Sequence, residues 1–260
     1  MISVVKLTYS LSFVIKRSSF WISQDRQMSQ GSDSSGALTI MRYKYLLPIT
    51  VVFAASLLIC DTIGSKIFHV GSLNLTAGTI LFPLTFLAGD ALTEVYGYAV
   101  TRKVIWSSLA GLLLMICTYE IARLLPPAEF WHNQEAFDTV LSHVPRIVLG
   151  SVTAYLCGEF TNSFIVAKMK VLTNGKSMAA RFILSTVVGQ LIDSIVFVTI
   201  ALAGIYSLDA MINIILSIWI VKVAWEILAL PISLPFVRWL KQQENEDYYD
   251  KSTDFNPFKV

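Results

Sequence analysis

Long apolar runs separated by short polar connections make up the chain between residues 45 and 236. A helix needs about 20 predominantly apolar residues to cross the hydrocarbon core of a bilayer. The run at 75–95 is interrupted by Pro83, Gly78 and Gly89, which a spanning helix tolerates where its neighbours satisfy the freed backbone groups. The pattern predicts an all-α, polytopic membrane helix bundle with six transmembrane helices. Their predicted ranges are 45–66, 75–95, 103–124, 144–168, 179–205 and 210–236.

The two ends of the chain differ in composition from these runs. Residues 24–39, QDRQMSQGSDSSGALT, are polar and rich in Ser and Gly, which is typical of disordered segments. At Met41 the sequence MRYKYLLP supplies a start residue, two basic residues and the beginning of an apolar run. We therefore expect residues 1–40 to be a disordered or mis-annotated extension, residues 41–240 to form the six-helix membrane domain, and residues 241–260 to form a polar C-terminal tail.

Composition and loop charge support a membrane protein with a defined orientation. Hydrophobic residues make up 55% of the chain and charged residues 15%, with a mean hydropathy of +0.62, whereas soluble domains are typically about 45–50% apolar and about 25% charged. By the positive-inside rule, the loops richer in Lys and Arg face the cytoplasm, which places both termini there. One set of alternate loops carries Arg42, Lys44, Arg102, Lys103, Lys168, Lys170, Lys176, Arg181, Arg238 and Lys241, and the other carries Lys66, Arg123 and Arg146.

Ionisable and amide side chains occur inside four of the predicted helices. An ionisable residue at the bilayer centre costs roughly 2.5–3.5 kcal/mol on insertion scales, so several of them indicate a shared polar interior. Asp90 and Glu94 are four residues apart, and so lie on one helix face. Aromatic residues on the same helices add possible stacking surfaces. The candidate substrate-binding residues are Asp90, Glu94, Glu159, Asn162, Gln190, Asp193, Trp219, Lys222, Glu226 and Phe86.

One short pattern recurs in three of these helices: a glycine, a polar residue, two spacers and two further polar residues. It reads GDALTE from Gly89, GEFTNS from Gly158 and GQLIDS from Gly189. Glycine lets helices approach closely, and the polar residues then face the gap between them. The pattern therefore predicts three helices that meet around one cavity.

Some of the charged candidates also have local explanations. Lys222 and Glu226 are four residues apart, so they could neutralise each other within one helix. Glu94 lies near a helix end, where it could cap the helix or pair with Arg102 or Lys103. These alternatives stay open at the level of the sequence.

The candidate side chains suit a flat polar heterocycle. A carboxylate can accept two N–H bonds from a guanine-like edge, an amide can pair with ring nitrogens and carbonyls, and aromatic faces stack on the ring. The apolar segments contain almost no His for metal binding, and we find neither a nucleophile beside its base nor a phosphate-binding loop. The sequence thus predicts no metal site, no cofactor, no enzyme activity and no ATP hydrolysis by the chain itself. A net charge of +2 gives no sign of a nucleic-acid surface.

Several stretches resemble the queuosine precursor transporter family, also called the vitamin-uptake-like transporters. They include FPLTFLAGDALTEVYGY, PRIVLGSVTAYLCGEFTNSFIVAKMKVLTNGK, RFILSTVVGQLIDSIVFVTIAL and IVKVAWEILALPI, and the resemblance covers residues 43–240. It implies a multi-pass protein of the bacterial inner membrane that imports 7-cyano-7-deazaguanine, 7-aminomethyl-7-deazaguanine or both, for queuosine modification of tRNA. It also implies site residues at Asp90, Glu94, Glu159, Asn162, Gln190 and Asp193.

The expected partners are a small-molecule substrate and the lipid bilayer. An alternative interpretation is a substrate-binding membrane subunit of an ATP-driven vitamin uptake system, which would require an ATPase module as a partner. Whether the chain forms a homo-oligomer is left open by the sequence.

Overall fold

The computed structural model describes residues 43–64, 66–70, 73–141 and 145–259. The predicted extension at residues 1–40 lies outside these ranges. From Tyr45 onward the chain forms one unit, and it is mainly α-helical. In chain order, its helices are α1 (Leu46–Ile63), α2 (Phe82–Ala91), α3 (Tyr98–Leu124), α4 (Gln134–Leu141), α5 (Pro145–Leu172), α6 (Met178–Leu202) and α7 (Leu208–Glu244).

Six helical segments of the described chain are long and apolar enough to cross a membrane. This confirms the predicted number of spans. The outer surface fits a lipid environment, because large apolar side chains such as Leu114, Leu228 and Ile232 are about two-thirds exposed, at 69%, 67% and 69%. Soluble monomers rarely expose contiguous apolar surface of this kind. The chain is therefore a multi-pass membrane protein.

The second span is assembled from three helical pieces. A 3₁₀ turn at Ala77–Leu81 leads into α2, and a π-helical segment at Leu92–Tyr96 follows it. Pro83 lies in the first turn of α2, where its missing N–H has no partner to lose. Gly97 then takes a φ of +86°, a conformation that glycine adopts without steric cost, and α3 begins at the next residue.

Two elements connect the spans at the same end of the bundle. A two-stranded antiparallel hairpin, β1 (Ile67–Val70) and β2 (Leu73–Thr76), joins α1 to the second span. The sequence pattern did not predict it. The short helix α4 lies in the connection between α3 and α5.

Glycines allow the helices of the recurring pattern to pack closely. A Cβ added at Gly158 would lie 2.9 Å from the Cβ of Asp193 on α6, and one at Gly189 would lie 3.1 Å from the Cβ of Asn162 on α5. A Cβ at Gly89 on α2 would lie 3.6 Å from Oε2 of Glu159. The three patterned helices therefore meet, as predicted, and their polar residues are brought together.

The last helix is longer than predicted and leads into a docked tail. It contains Pro231 and Pro235, begins with the Ser207 hydroxyl accepting a bond from the Ala210 N–H, and ends at Asn245 in the left-handed conformation. The predicted boundary at residue 240 falls inside α7. Residues 245–259, called the tail below, return over the ends of α3 and α5.

Candidate functional site

A partly open cavity of about 620 Å³ occupies one end of the helix bundle. Its lining runs along α1 from Phe53 to Gly64, along α5 from Ile147 to Glu159, and along α6 from Gln190 to Phe197. Since α5 and α6 run in opposite directions, these ranges place Glu159 and Gln190 at its deepest point. We call this half of the molecule the cavity end and the opposite half the closed end.

Polar side chains from three helices form the floor of the cavity. The cavity floor consists of Glu159 on α5, Gln190 and Asp193 on α6, and Lys222 on α7. The Lys222 ammonium donates a hydrogen bond to the Asp193 carboxylate across the α6–α7 contact. Both of these side chains are mostly buried, at 12% and 18% exposed. The pair therefore stands at the boundary between the cavity and the protein interior.

Aromatic side chains of α2 stand beside this floor. The rings of Phe82 and Phe86 have their centroids 5.8 Å apart, and the Lys222 ammonium lies 5.6 Å from the centre of the Phe82 ring. Both phenylalanines line the cavity. A flat ligand in the cavity would therefore meet aromatic rings on which it can stack, as well as groups that donate and accept hydrogen bonds.

Behind the floor, α2, α5 and α7 contribute a second polar group, which we call the acidic centre. It contains Asp90, Asn162 and Glu226, whose side chains are 1%, 8% and 1% exposed. The Asn162 amide donates to Oδ1 of Asp90 at 3.0 Å. Among the described residues, no hydrogen-bond partner is found for Asp90 Oδ2, Asn162 Oδ1 or either carboxylate oxygen of Glu226.

At the closed end, Glu94 of the π-helical segment is completely buried and ion-paired. Arg181 approaches its carboxylate with two parallel bonds, from Nε at 2.7 Å and from Nη2 at 2.6 Å. The Lys241 ammonium donates to Oε1 at 2.5 Å, and Lys170 donates to the Glu94 backbone carbonyl at 2.5 Å. This closed-end network ties the π-helical segment to α5, α6 and α7.

A second acid, Asp247, joins the closed-end network from the tail. Its carboxylate lies 2.5 Å from the Lys170 ammonium and 2.7 Å from that of Lys241. Burial alone would raise the pKa of Asp247, but the hydrogen bonds and charges of the two lysines outweigh it and hold this pKa below its ordinary value. The tail is therefore held to the bundle by charge as well as by packing.

The tail also caps the beginning of α3. Both Asp250 carboxylate oxygens accept from the Tyr98 N–H at 3.2 Å, which satisfies a helix-start donor. Burial raises the pKa of Asp250, although the hydrogen bond from the Tyr98 N–H opposes the shift. Arg102 donates to the carbonyls of Asp254 and Asn256 at 2.9 and 2.7 Å.

The structure separates the predicted site residues by depth. The cavity lining includes Phe86, Glu159, Gln190, Asp193 and Lys222. The acidic centre behind it holds three more of the predicted residues, and Glu94 lies at the closed end. Trp219 is not among the lining residues, and its indole N–H donates to the Val187 carbonyl at 2.8 Å, joining α7 to α6.

Both local explanations of the charged residues are wrong. Lys222 pairs with Asp193 on the neighbouring helix rather than with Glu226. Glu94 pairs with Arg181 instead of Arg102, whose guanidinium binds the tail. In both cases the partner lies on a neighbouring helix, so the two opposite charges are buried next to each other.

The basic residues of the closed end were not among the predicted site residues. Lys170, Arg181 and Lys241 counted only as loop charges, yet Lys170 and Arg181 are each 1% exposed. The available signal was Glu94 itself, because a carboxylate inside a span requires a compensating charge. Within the described residues, no group of three or more His, Cys, Asp or Glu side chains is placed to hold a metal ion.

Comparison with known proteins gives consistent matches. The model of a family described as "Putative vitamin uptake transporter" matches residues 76–235. A Bacillus subtilis protein called "Probable queuosine precursor transporter" is 27% identical over 180 residues, which cover 69% of this chain and 79% of that protein. A Haemophilus influenzae protein of the same name is 28% identical over 134 residues, which cover 50% of this chain and 53% of that protein. No solved structure matches the chain.

Proposed function

Because the chain belongs to the vitamin uptake transporter family, we propose that it imports queuosine precursors across the bacterial inner membrane. The proposed cargo is 7-cyano-7-deazaguanine, 7-aminomethyl-7-deazaguanine or both. Two relatives are named for queuosine precursor transport, and six segments of the described chain are able to span a bilayer.

The observation that carries the proposal is the cavity of about 620 Å³ with its polar floor. Cavities that bind small molecules typically measure about 300–1,000 Å³ and combine apolar walls with a few placed polar groups. The walls here are largely apolar, and the deepest residues are Glu159, Gln190, Asp193 and Lys222. This combination suits a single small heterocycle.

The floor offers groups complementary to the guanine edge of a 7-deazaguanine. The Glu159 carboxylate can accept from the ring N–H and the exocyclic amine, and Lys222 or Gln190 can donate to the ring carbonyl. Phe86 supplies a face for stacking. We assign Asn162 and Trp219 to supporting roles, since Asn162 binds Asp90 behind the floor and Trp219 joins two helices.

The two ends of the bundle suit an alternating-access mechanism. The cavity is partly open at the cavity end of the bundle, whereas the closed-end network and the tail cover the closed end. Release of the substrate on that side requires the ion pairs of Glu94 to separate, as one set of helices moves against the other. By the positive-inside rule the closed end and both termini face the cytoplasm, so this state accepts substrate from outside.

The test uses cells that cannot synthesise the precursor. Supplied with low external 7-cyano-7-deazaguanine or 7-aminomethyl-7-deazaguanine, cells that express this chain should contain queuosine in their tRNA. The change Glu159→Gln removes the charge that accepts from the heterocycle and should reduce uptake by about 10–100-fold, the equivalent of a lost charged hydrogen bond. Glu120→Gln is the matched control, because Glu120 is part-exposed and paired with Arg123.

Two outcomes would contradict this assignment. Queuosine that stays absent despite normal protein levels would exclude transport of these precursors. Uptake that disappears when a separate ATPase module is deleted, and that purified protein in vesicles does not reproduce, would favour the substrate-binding subunit of an ATP-driven system instead.

A further inference from the structure

The acidic centre is separate from the cavity lining. Asp90, Asn162 and Glu226 do not appear among the residues that line the cavity, and each is more than nine-tenths buried. They lie between the cavity floor and the closed-end network. Their position is one that a transported ion would occupy if it moved together with the substrate.

The polar atoms of the acidic centre are incompletely bonded. Asp90 Oδ1 accepts from the Asn162 amide, but Asp90 Oδ2, Asn162 Oδ1 and both oxygens of Glu226 have no partner in the part of the chain that the structure describes. A buried carboxylate without a compensating charge costs several kcal/mol, and orphaned buried polar atoms are rare enough to need an explanation. Four unpartnered oxygens in one small region indicate a missing donor.

The acids that act on Asp90 come from three other segments. Glu226 on α7 and Glu159 on α5 place negative charge near it. Glu94 on the π-helical segment also acts on Asp90, but its charge is offset by Arg181 and Lys241. The uncompensated acidic charges repel one another, so the site attracts a positive charge. Two unpaired carboxyl groups at this depth cannot both remain ionised without a large electrostatic cost.

The nearby basic side chains are engaged elsewhere. Lys222 of α7 donates to Asp193 of α6 at the cavity floor. Arg181 of α6 and Lys241 of α7 bind Glu94 at the closed end. Neither Lys222 at the cavity floor nor the basic residues of the closed-end network donate a hydrogen bond to the unpartnered atoms of the acidic centre.

We propose that Asp90 and Glu226 bind a proton that is co-transported with the substrate. The proton forms an O–H bond with one carboxylate oxygen, and this new donor bonds to the other carboxylate or to Asn162 Oδ1. On release the O–H bond breaks and the proton passes to water at the closed end. The step is a proton transfer and involves no oxidant or reductant. The inference rests on the proposed function, because it names the ion that drives the same import.

The structure also provides an approach for the proton. Glu159 lines the cavity, and its Oε2 lies 3.6 Å from where a Cβ on Gly89 would stand, one residue before Asp90. A carboxylate that faces both the cavity and the acidic centre can pass a proton between them. The π-helical segment follows α2 directly, and such segments occur frequently at functional sites.

The experiment uses the purified full-length chain in vesicles that contain a pH-sensitive dye. The probe is labelled 7-cyano-7-deazaguanine, whose nitrile carries no charge. With acid outside, substrate should enter together with protons, and one pH unit should increase accumulation about tenfold for each coupled proton. The lumen should acidify only when substrate is present.

Substitutions at the acidic centre distinguish a loss of proton coupling from a loss of folding. Glu226→Gln should abolish the response of net uptake to the pH gradient while counterflow of labelled against unlabelled substrate stays measurable, because counterflow needs no net proton movement. Asp90→Asn is the second variant, and Glu120→Gln, in a part-exposed ion pair, should keep the wild-type response. Gel filtration and thermal unfolding confirm that each variant is folded.

The possible failures have different meanings. Uptake without proton entry, or uptake driven by a sodium gradient alone, would overturn the proton site and leave the import function standing. Glu226→Gln protein that still couples fully to the pH gradient would also overturn it. Failure of the folded wild-type chain to move either 7-deazaguanine in any gradient would overturn the proposed function, and the proton site with it.

Discussion

Replacement of Arg181 by Met should destabilise the protein through the closed-end network. Arg181 is 1% exposed and Glu94 is 0% exposed, so neither charge is screened by water. Methionine keeps an apolar chain of similar length but removes both parallel bonds to the carboxylate. The change therefore removes the charge and both hydrogen bonds of the buried pair, together with the Nη1 bonds to the Gly175 and Lys176 carbonyls, while preserving most of the packing.

The magnitude follows from what remains around Glu94. Loss of one partner of a buried pair typically costs about 3–5 kcal/mol. Here the Lys241 ammonium still lies 2.5 Å from Oε1 and the Lys170 ammonium 3.8 Å away, so the carboxylate is not left alone. We expect about 2–3 kcal/mol for Arg181→Met, near the value of one or two charged hydrogen bonds. Glu94→Gln should cost more, about 3–5 kcal/mol, because it leaves three basic groups without that charge.

Reversible unfolding in mixed micelles, followed by circular dichroism, measures these free energies. The matched control is Arg123→Met, which breaks a pair with Glu120 whose side chains are 25% and 37% exposed. Such part-exposed pairs contribute about 0–1 kcal/mol. An Arg181→Met variant no less stable than Arg123→Met, or a Glu94→Gln variant more stable than Arg181→Met, would refute the assignment of the closed-end network.

Three further predictions concern the cavity, the helix contact and the tail. Lys222→Met should reduce uptake of 7-cyano-7-deazaguanine about tenfold or more, because it leaves Asp193 unpaired beside the ligand, and labelled uptake at equal protein levels measures this. Gly158→Ala should cost about 1–3 kcal/mol of unfolding free energy through overpacking. Gly111→Ala should be neutral or stabilising, because its added Cβ would meet no atom of the described residues within 4 Å beyond its chain neighbours and its own helix backbone. The folded pKa of Asp247 lies below the ordinary value of 3.8, so the ionised carboxylate should stabilise the docked tail fully above pH 3.8. This stabilisation should be lost as the pH falls through the folded pKa. Limited proteolysis of the tail measures this pH dependence, which Asp247→Asn should abolish.

The membrane spans were predictable because the signal is local. A run of about 20 apolar residues identifies a spanning helix without knowledge of its neighbours. Helix ends are less accessible to this reasoning, since α3 begins at Tyr98 rather than residue 103 and α7 continues to Glu244 rather than residue 236. Helical backbone continues past the hydrocarbon core there, because hydrogen bonding within the helix does not depend on apolar side chains.

The partners of the polar residues were beyond sequence reasoning. Glu94 and Arg181 are 87 positions apart, and loop charge indicates only on which side of the membrane a basic residue lies. The tail illustrates the same limit, because its polar composition conceals Phe255 and Phe258, which pack on Tyr98 and Trp106 with ring centroids 4.9 and 6.0 Å apart. Such pairings depend on tertiary contacts that no local pattern encodes.

The charge balance of the three polar layers gives the proposed transport cycle an order. Among the described residues, the cavity floor combines one basic and two acidic groups, the acidic centre has two acids, and the closed-end network joins three basic groups to two acids. A proton that enters from the cavity therefore meets increasingly favourable charge until it reaches the acidic centre, and then meets an excess of positive charge. That excess opposes further movement until the ion pairs of Glu94 separate. Substrate and proton can consequently be held together while the ion pairs of the closed-end network are intact. When these ion pairs separate, the closed end opens and the electrostatic obstacle to release is removed.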